Sequence, residues 1–507
     1  MVLGAEDPGL IAENAIERDV AVIDVGSNSV RLVHFRLEGR ALWPIYNEKV
    51  MAGLGEGVRE TGRLNPAGVE IALRALKRFR RLLDAKAVSD RYVVATAAVR
   101  NATDGPDFVE QVAERSGLEV QVLSGAQEGE MSALGLVAGI PDAHGMTGDL
   151  GGSSLEITPL VNGRPQAGKT FPLGPQEVIG AKGWDYSRAK RKIEKGLDGI
   201  DFSGTKGTTF YAVGGAWRAL AQLAFARSGY PLRVVHQFGL DEKQVRQLTR
   251  LAARLSPASL EGIPGIGRRR AATLPYAALL LRRLVKRGGF GRIVFSAYGL
   301  REGVIMAGQP ESLLDQDPLV AGAEALARPA APAPSFGRAL AVWLRPVMEP
   351  LAPVFSPRRD WLLLEAACRL ADMGARMHPD HRTDLARETV LYAPFAGIEH
   401  AERAFLAAVT HYRHGGSVHA MDVMDAPHLM SEAQHERAQF LGLALRLAAK
   451  LSGRSEVLLG RFTLSTQADR LLLQVDDSVR DLYVERSISQ LGGLAGIIGR
   501  DAVVEYR

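Results

Sequence analysis

Two short runs set an aspartate, a glycine and small hydroxyl or amide side chains at the end of an apolar stretch. They are Ile23-Asp24-Val25-Gly26-Ser27-Asn28-Ser29 and Gly148-Asp149-Leu150-Gly151-Gly152-Ser153-Ser154-Leu155-Glu156. Glycine lets the backbone turn sharply and approach a ligand closely, so that successive N–H groups converge on an anion. The Ser and Asn side chains add donors, and an Asp carboxylate suits a hard cation. The chemistry this composition serves is phosphate binding: Gly26, Ser27, Asn28 and Ser29 in one loop, Gly151, Gly152, Ser153 and Ser154 in the other. One such loop reads equally well as turn punctuation. Two of them, with Asp in register, point to two related lobes facing one phosphate site.

Elements that would position these loops can be read around them. Val20–Ile23 is an apolar run ending at the first loop, and Gly145–Thr147 with Leu150 frames the second. Between Thr61 and Leu83, apolar residues at Val69, Ala72, Leu73, Leu76, Phe79 and Leu83 have helical spacing. Tyr92–Ala95 and Leu118–Leu123 read as short strands, and Glu128–Gly139 as a helix. Phe210–Val213 is a strand running into a Gly214-Gly215 turn and a helix from Ala216. Arg292–Phe295 is another strand, before a helix from about Tyr298. The segment Ala321–Pro334, rich in Ala and Pro, reads as a linker. The remainder is mainly helical to 450, with paired strands at Phe462–Leu464 and Leu471–Val475.

Five segments in order carry a resemblance. They are Ala21–Leu32, Ala95-Thr96-Ala97-Ala98-Val99-Arg100-Asn101-Ala102, Leu123-Ser124-Gly125-Ala126-Gln127-Glu128-Gly129-Glu130, the second Gly loop, and Ser296-Ala297-Tyr298-Gly299-Leu300-Arg301-Glu302-Gly303. Together they resemble the exopolyphosphatase / guanosine-pentaphosphate phosphatase family. The resemblance implies an α/β chain with two actin-like, ribonuclease-H-like lobes, followed by an HD-like, mainly helical domain. The expected division is a lead over 1–17, lobe I over 18–140, lobe II over 141–310, a linker over 311–335, and the helical domain with a small terminal α/β portion over 336–507.

Hydrolysis of a phosphoanhydride requires a clamped terminal phosphate, neutralised charge and a positioned water. Loop amides would supply the clamp. Arg100, just after a strand, would bind phosphate oxygens bidentately. Asp149, Asp24 and Glu156 are the expected contacts of Mg²⁺, or of Mn²⁺ in its place. In the family the base is the second Glu of Ser-Gly-x-Glu-Glu; here the first acidic position is Gln127 and the second is Glu128, which the resemblance makes the water-activating base. Glu130 reads as a solvated helix residue, and Lys169 stands where it could reach phosphate or solvent. The expected reaction is Mg²⁺-dependent removal of terminal orthophosphate from inorganic polyphosphate. The close alternative is 5′-phosphohydrolysis of pppGpp, with ppGpp a related ligand. A sugar kinase, suggested by the Gly-Gly turn, and a non-catalytic nucleotide or polyphosphate sensor are the other readings.

Eight of the eleven histidines lie between His378 and His435. With Leu370–Gly374 and His411-Tyr412-Arg413-His414 they resemble the HD-type domain of the longer family members. Ala371 stands where the metal-binding His before Asp372 is expected, so no metal is predicted there.

Composition bounds these readings. The 507 residues suit roughly two to four domains. The net charge of +5 divides into +9 over 1–310 and −4 over 311–507. Basic clusters at Arg74/Lys77/Arg78/Arg80/Arg81, Lys182/Arg188/Lys190/Arg191/Lys192/Lys195, Arg268/Arg269/Arg270 and Arg282/Arg283/Lys286/Arg287 would steer a polyanion. No zinc-finger spacing or RNA-recognition signature supports a nucleic-acid partner. A single Cys, Cys368, rules out an internal disulfide framework. No stretch approaches the ~18–20 apolar residues of a membrane span, and the acidic start lacks signal-peptide order. A cytoplasmic homodimer with no membrane partner is the expectation.

Overall fold

The duplicated loop motif sits on a duplicated sheet. The computed structural model describes residues 17–179, 184–419, 426–483 and 485–507; the expected N-terminal lead, apart from Glu17, and Lys182 fall outside these. The first sheet comprises β1 (Glu17–Val25), β2 (Val30–Glu38), β3 (Ala41–Val50), β4 (Asp90–Ala95) and β5 (Gln121–Val122), in the order β3-β2-β1-β4-β5. The second comprises β6 (Gly145–Leu150), β7 (Leu155–Val161), β8 (Arg164–Pro165), β9 (Lys169–Phe171), β10 (Thr209–Val213), β11 (Phe238–Asp241) and β12 (Arg292–Phe295). Its order is β11-β12-β10-β6-β7-β8, with β9 also on β7. In each lobe the loop-bearing strand pairs antiparallel with the next strand and parallel with a later one, β4 or β10. Each phosphate-loop candidate is therefore the tip of the first hairpin of its lobe.

Val20, Ala21, Val22 and Ile23 are all fully buried, as a central strand covered on both faces requires. The helix Pro66–Ala85 covers one face with Ala72, Leu73, Leu76, Phe79 and Leu83, against Ile23 and Val25. It starts later than the apolar spacing suggests, because Asn65 caps it by accepting from the Ala67 N–H and Pro66 occupies the first turn. The strand expected over 118–123 shrinks to Gln121–Val122, and the helix expected from Tyr298 begins at Leu300 after a Ser296–Tyr298 turn.

Two helices cross between the lobes. Gly125–Gly139 packs on β7, while Leu300–Ala307 buries Val304, Ile305 and Met306 against Val20 and Val22 of the first sheet. A Cβ on Gly135 would lie 1.8 Å from the Gly299 carbonyl oxygen, and one on Gly303 would lie 1.6 Å from that of Met131. Glycine at both positions is what lets these backbones touch.

The chain divides into two compact units, Met1–Asp315 and Gln316–Arg507. The segment read as a linker over 311–335 is largely helical: Pro318–Ala327 is capped by the Asp317 carboxylate and buries Leu319, Ala323, Ala325 and Ala327. Proline at the first helical position and an Ala-rich run are as compatible with a helix start as with a linker, and packing against the helix Pro357–Leu370 settles it. The second unit is mainly helical, through Phe336–Met348, Pro357–Leu370, Arg382–Tyr392, His400–Arg413 and Glu432–Ser452. It ends in a sheet of β13 (Phe462–Thr466), β14 (Arg470–Val475) and β15 (Asp501–Tyr506), the last of them not expected from the sequence.

Asp372 is held by two arginines. Its buried carboxylate accepts from Arg413 Nη2 at 2.8 Å and Arg454 Nε at 3.0 Å. Nearby, burial and then the charges of Arg413, Arg382, Arg454 and Arg446 push His414 down to about 3, so the ring is neutral and accepts from the Gly374 N–H. Removing one partner of a buried ion pair leaves the other charge uncompensated. Asp372→Ala is therefore expected to destabilise the second unit by about 3–5 kcal/mol, read as loss of its denaturant midpoint. No helix among the described residues is long and apolar enough to cross a membrane.

Candidate active site

The two hairpin tips have the same geometry. Gly26 N donates to Ser29 O at 3.0 Å, and Gly151 N donates to Ser154 O at 3.0 Å. Each tip is strapped by a following segment: Gly53 N and Gly55 N donate to Asn28 O and Ser27 O, and Gly174 N and Gln176 N donate to Ser153 O and Gly152 O. A side chain on Gly174 would bring Cβ to 2.2 Å from the Ser153 carbonyl carbon, so the strap lies flat only with glycine. The tips meet, with Ser27 Oγ 3.0 Å from Ser153 Oγ.

A cavity of about 910 Å³ opens over them. Gly26, Ser27, Asn28, Ser29, Gly151, Gly152, Ser153, Ser154, Asp24, Asp149, Glu156 and Glu128 all line it. Arg100 does not. Its Nη1 donates to Glu128 Oε2 at 2.9 Å and to the Leu123 carbonyl at 2.7 Å, which sets the guanidinium against Glu128.

Glu128 is delivered by its helix. Ser124 and Gln127 form a reciprocal capping box, Ser124 Oγ accepting from Gln127 N and Gln127 Oε1 accepting from Ser124 N. Gln127 is thereby spent at the exposed helix start, Glu130 points to solvent, and Glu128 is buried. Glycine at 125 lets the helix lie on β9, since a Cβ there would fall 2.3 Å from Thr170 Oγ1, and a Cβ at 129 would press to 3.3 Å from Thr158 Oγ1 of β7.

Register then places unlike charges on like scaffolds. In the first lobe Asp24, Arg31 and Lys49 lie side by side across β1, β2 and β3. In the second, Asp149, Glu156 and Thr170 occupy the corresponding row across β6, β7 and β9. The acidic side is strained electrostatically. Burial raises Glu128 to about 7, opposed by Arg100 and reinforced by Asp149 and Asp24. Glu156 is held well above the ordinary carboxylate range by burial and then by Glu128 and Asp149. Burial also raises Asp149, against a 2.6 Å hydrogen bond from Ser132 Oγ, and raises Asp24 against Arg301 and Arg31. Glu156 Oε1 is buried without a hydrogen-bond partner.

That orphaned oxygen and the surplus of buried carboxylates fit a hard divalent cation, which would supply the missing countercharge. No group of three or more His, Cys, Asp or Glu side chains converges as a ligand cage among the described residues.

Cations line the same cavity: Arg31, Lys49, Arg218, Arg270 and Arg301. Arg31 and Arg218 are each lowered to about 10, first by burial and then by repulsion from their neighbours, with Arg301 foremost among these. Lys49 is lowered by burial and by Arg270, Arg31, Arg218 and Arg301. The Nε atoms of Arg218 and Arg301 are buried without partners, and Arg301 approaches Asp24 only to 3.8 Å. Mutually repelling buried cations with unspent donors make an anion site.

Of these cations, only Arg270 belongs to a cluster singled out in the sequence, and Arg31 and Arg301 lie in quoted motifs. Hairpin register is what sets Arg31 and Lys49 beside Asp24; Arg218 stands in the first turn after Gly214-Gly215. The other basic clusters are largely outer helix faces, where Arg78 pairs with Glu48, Arg80 with Asp84, and Arg283 and Arg287 with Glu194. Lys169 is exposed and outside the cavity lining.

Comparison with known proteins gives a consistent assignment. Residues 32–311 match the model of the Ppx/GppA phosphatase family, and residues 319–504 match that of the exopolyphosphatase C-terminal domain. Exopolyphosphatase 1 of Mycobacterium tuberculosis is 23% identical over 302 residues, covering 57% of this chain and 87% of the relative. Exopolyphosphatase 2 of the same organism is 26% identical over 331 residues, covering 57% and 98%. The Aquifex aeolicus Ppx/GppA family member superposes with TM-score 0.51 at 26% identity, over 59% of this chain and 99% of that one. The exopolyphosphatase structure from Cytophaga hutchinsonii, at 22% identity and TM-score 0.52 over 58% and 99%, shares the fold. With two actin-like lobes carrying paired loops, the chain belongs to the Ppx/GppA phosphatase family.

Proposed function

We propose that the cleft hydrolyses the terminal phosphoanhydride bond of inorganic polyphosphate and releases orthophosphate. The observation that carries this reading is the juxtaposition, in one cavity, of two phosphate-type loops, a cationic wall and a buried carboxylate. The loop amides clamp the terminal phosphoryl group, and Arg31, Lys49, Arg218, Arg270 and Arg301 neutralise the chain behind it. Glu128, oriented by Arg100, takes a proton from the attacking water. The names of the relatives, exopolyphosphatase in both mycobacterial proteins, support the substrate class. Asp24, Asp149 and Glu156 would hold Mg²⁺, or Mn²⁺, which when bound adds charge neutralisation at the phosphoryl oxygens.

Hydrolysis of pppGpp is the second reading. Met51, Val58 and Ile179 line the same cavity and give a nucleoside an apolar surface. The deciding assay is orthophosphate release from long-chain polyphosphate and from pppGpp with Mg²⁺. Faster turnover of polyphosphate is the expected result. Turnover confined to pppGpp moves the protein to nucleotide chemistry, and turnover of neither sinks both readings.

A further inference from the structure

Gln176 lies in the second strap, outside every motif that marks the site in the sequence, yet its side chain joins the two loops. Its Nε2 donates to Asn28 Oδ1 in the first lobe at 2.7 Å, and its Oε1 accepts from Ser153 Oγ in the second at 3.0 Å. Its own N–H donates to the Gly152 carbonyl at 2.9 Å, tying its backbone to the second loop. Because an amide oxygen only accepts, Ser153 must donate to it, and Ser27 must then donate to Ser153 across their 3.0 Å contact. The result is a directed circuit, Ser27 to Ser153 to Gln176 to Asn28, that crosses between the lobes and returns. Both seryl hydrogens are spent inside it, which leaves the backbone amides and Asn28 Nδ2 as the donors these residues offer a phosphate.

Resting on the proposed phosphoanhydride hydrolysis, we propose that Gln176 is a positioning residue that holds the two phosphate loops at a fixed separation and fixes the orientation of the Asn28 amide. The space around it is built for the amide. A Cβ on Gly55 would fall 3.2 Å from Gln176 Oε1, and one on Gly152 would fall 3.3 Å from it and 2.8 Å from Asn28 Nδ2. On the outer side, Arg59 of the first lobe donates to the neighbouring Glu177 carbonyl at 2.8 Å, and Lys192 donates to the same oxygen at 2.9 Å, so the strap is anchored from both lobes. A clamp made from two lobes stabilises a transition state only when both halves are in register, and sub-ångström misplacement is felt in turnover.

Gln176→Met keeps the length of the side chain and removes both bonds. Gln176→Glu keeps the acceptor for Ser153 and sets a carboxylate against Asn28 Oδ1. In the full-length protein, each is expected to lower kcat on tripolyphosphate by about 10- to 100-fold with a smaller change in KM. The melting temperature is expected to stay near that of the wild type. Hydrogen exchange is expected to rise in both the Gly26–Ser29 and Gly151–Ser154 segments together, with the helix Gly215–Ser228 unchanged. Exchange altered in one loop alone or in neither, or kcat within about twofold of an active wild type, overturns the assignment. A wild type that turns over no phosphoanhydride sinks the proposed reaction instead, and the exchange data alone then decide whether Gln176 couples the loops.

Discussion

Glu128→Gln is expected to lower kcat for orthophosphate release by about 10³-fold, the scale of a lost general base, with KM little changed. The substitution preserves size and leaves Arg100 an oxygen to donate to, so the loss isolates proton transfer from geometry. Glu128 sits at about 7 because burial disfavours its charge and Asp149 and Asp24 repel it, while Arg100 offsets only part. A base must be ionised, so turnover of the wild type is expected to rise with pH through about 7 and level off above it. Adding Mg²⁺ brings positive charge beside the acidic group and is expected to move that limb to lower pH. Stability runs the other way. A carboxyl whose folded value exceeds its unfolded one stabilises fully below about 4.5 and loses that contribution as pH rises through about 7. Above pH 7 and without ligand, the Glu128→Gln protein, neutral at this position, is therefore expected to melt at a higher temperature than the wild type. A pH–rate profile and a melting curve at pH 8 check both signs; a variant that melts lower shows that the Arg100 pair outweighs burial.

How much of this is legible in the sequence depends on whether the signal is local. Asp24, Gly26 and their counterparts around Gly151 announce themselves because a sharp turn at a strand end needs those residue types within a few positions. The apolar periodicity of 66–85 is local too, and only its start shifts, where Asn65 and Pro66 supply a cap. The place of Arg100 after a strand says where its Cα lies, not that Glu128 and the Leu123 carbonyl accept from its guanidinium. Arg31 and Lys49 need cross-strand register, which follows from the β1–β2–β3 meander but only after the hairpins are granted. Gln176 lies 148 positions from Asn28, and no local pattern encodes a bond between them. The 311–335 segment fails for the opposite reason: its local composition fits a linker and a helix equally, and tertiary burial chooses.

Arg218→Ala is expected to reduce kcat/KM for tripolyphosphate by about 10²-fold, comparable to truncating one member of a desolvated charge pair. The Arg218 Nε is shielded from solvent and has no partner, and after burial the strongest influences on the guanidinium are repulsion from Arg301, Arg270 and Arg31, with Glu302 offsetting part. Those like charges disfavour the protonated form, which makes the empty cavity an unfavourable place for a cation and the ligand its natural complement. Removing Arg218 should relieve that repulsion, so the unliganded variant is expected to melt higher while binding substrate more weakly. A structural arginine would behave oppositely, losing stability and activity together. The ionic-strength dependence separates the cases further. Contacts with a flexible polyanion weaken as salt screens them, and a wall with one charge fewer should give a shallower rise of KM with salt. Arg218→Lys tests whether charge alone suffices: the ammonium keeps the charge but offers no planar fork, so a partial recovery of KM without recovery of kcat assigns the guanidinium to orienting the phosphoryl chain, whereas full recovery of both reduces its role to countercharge.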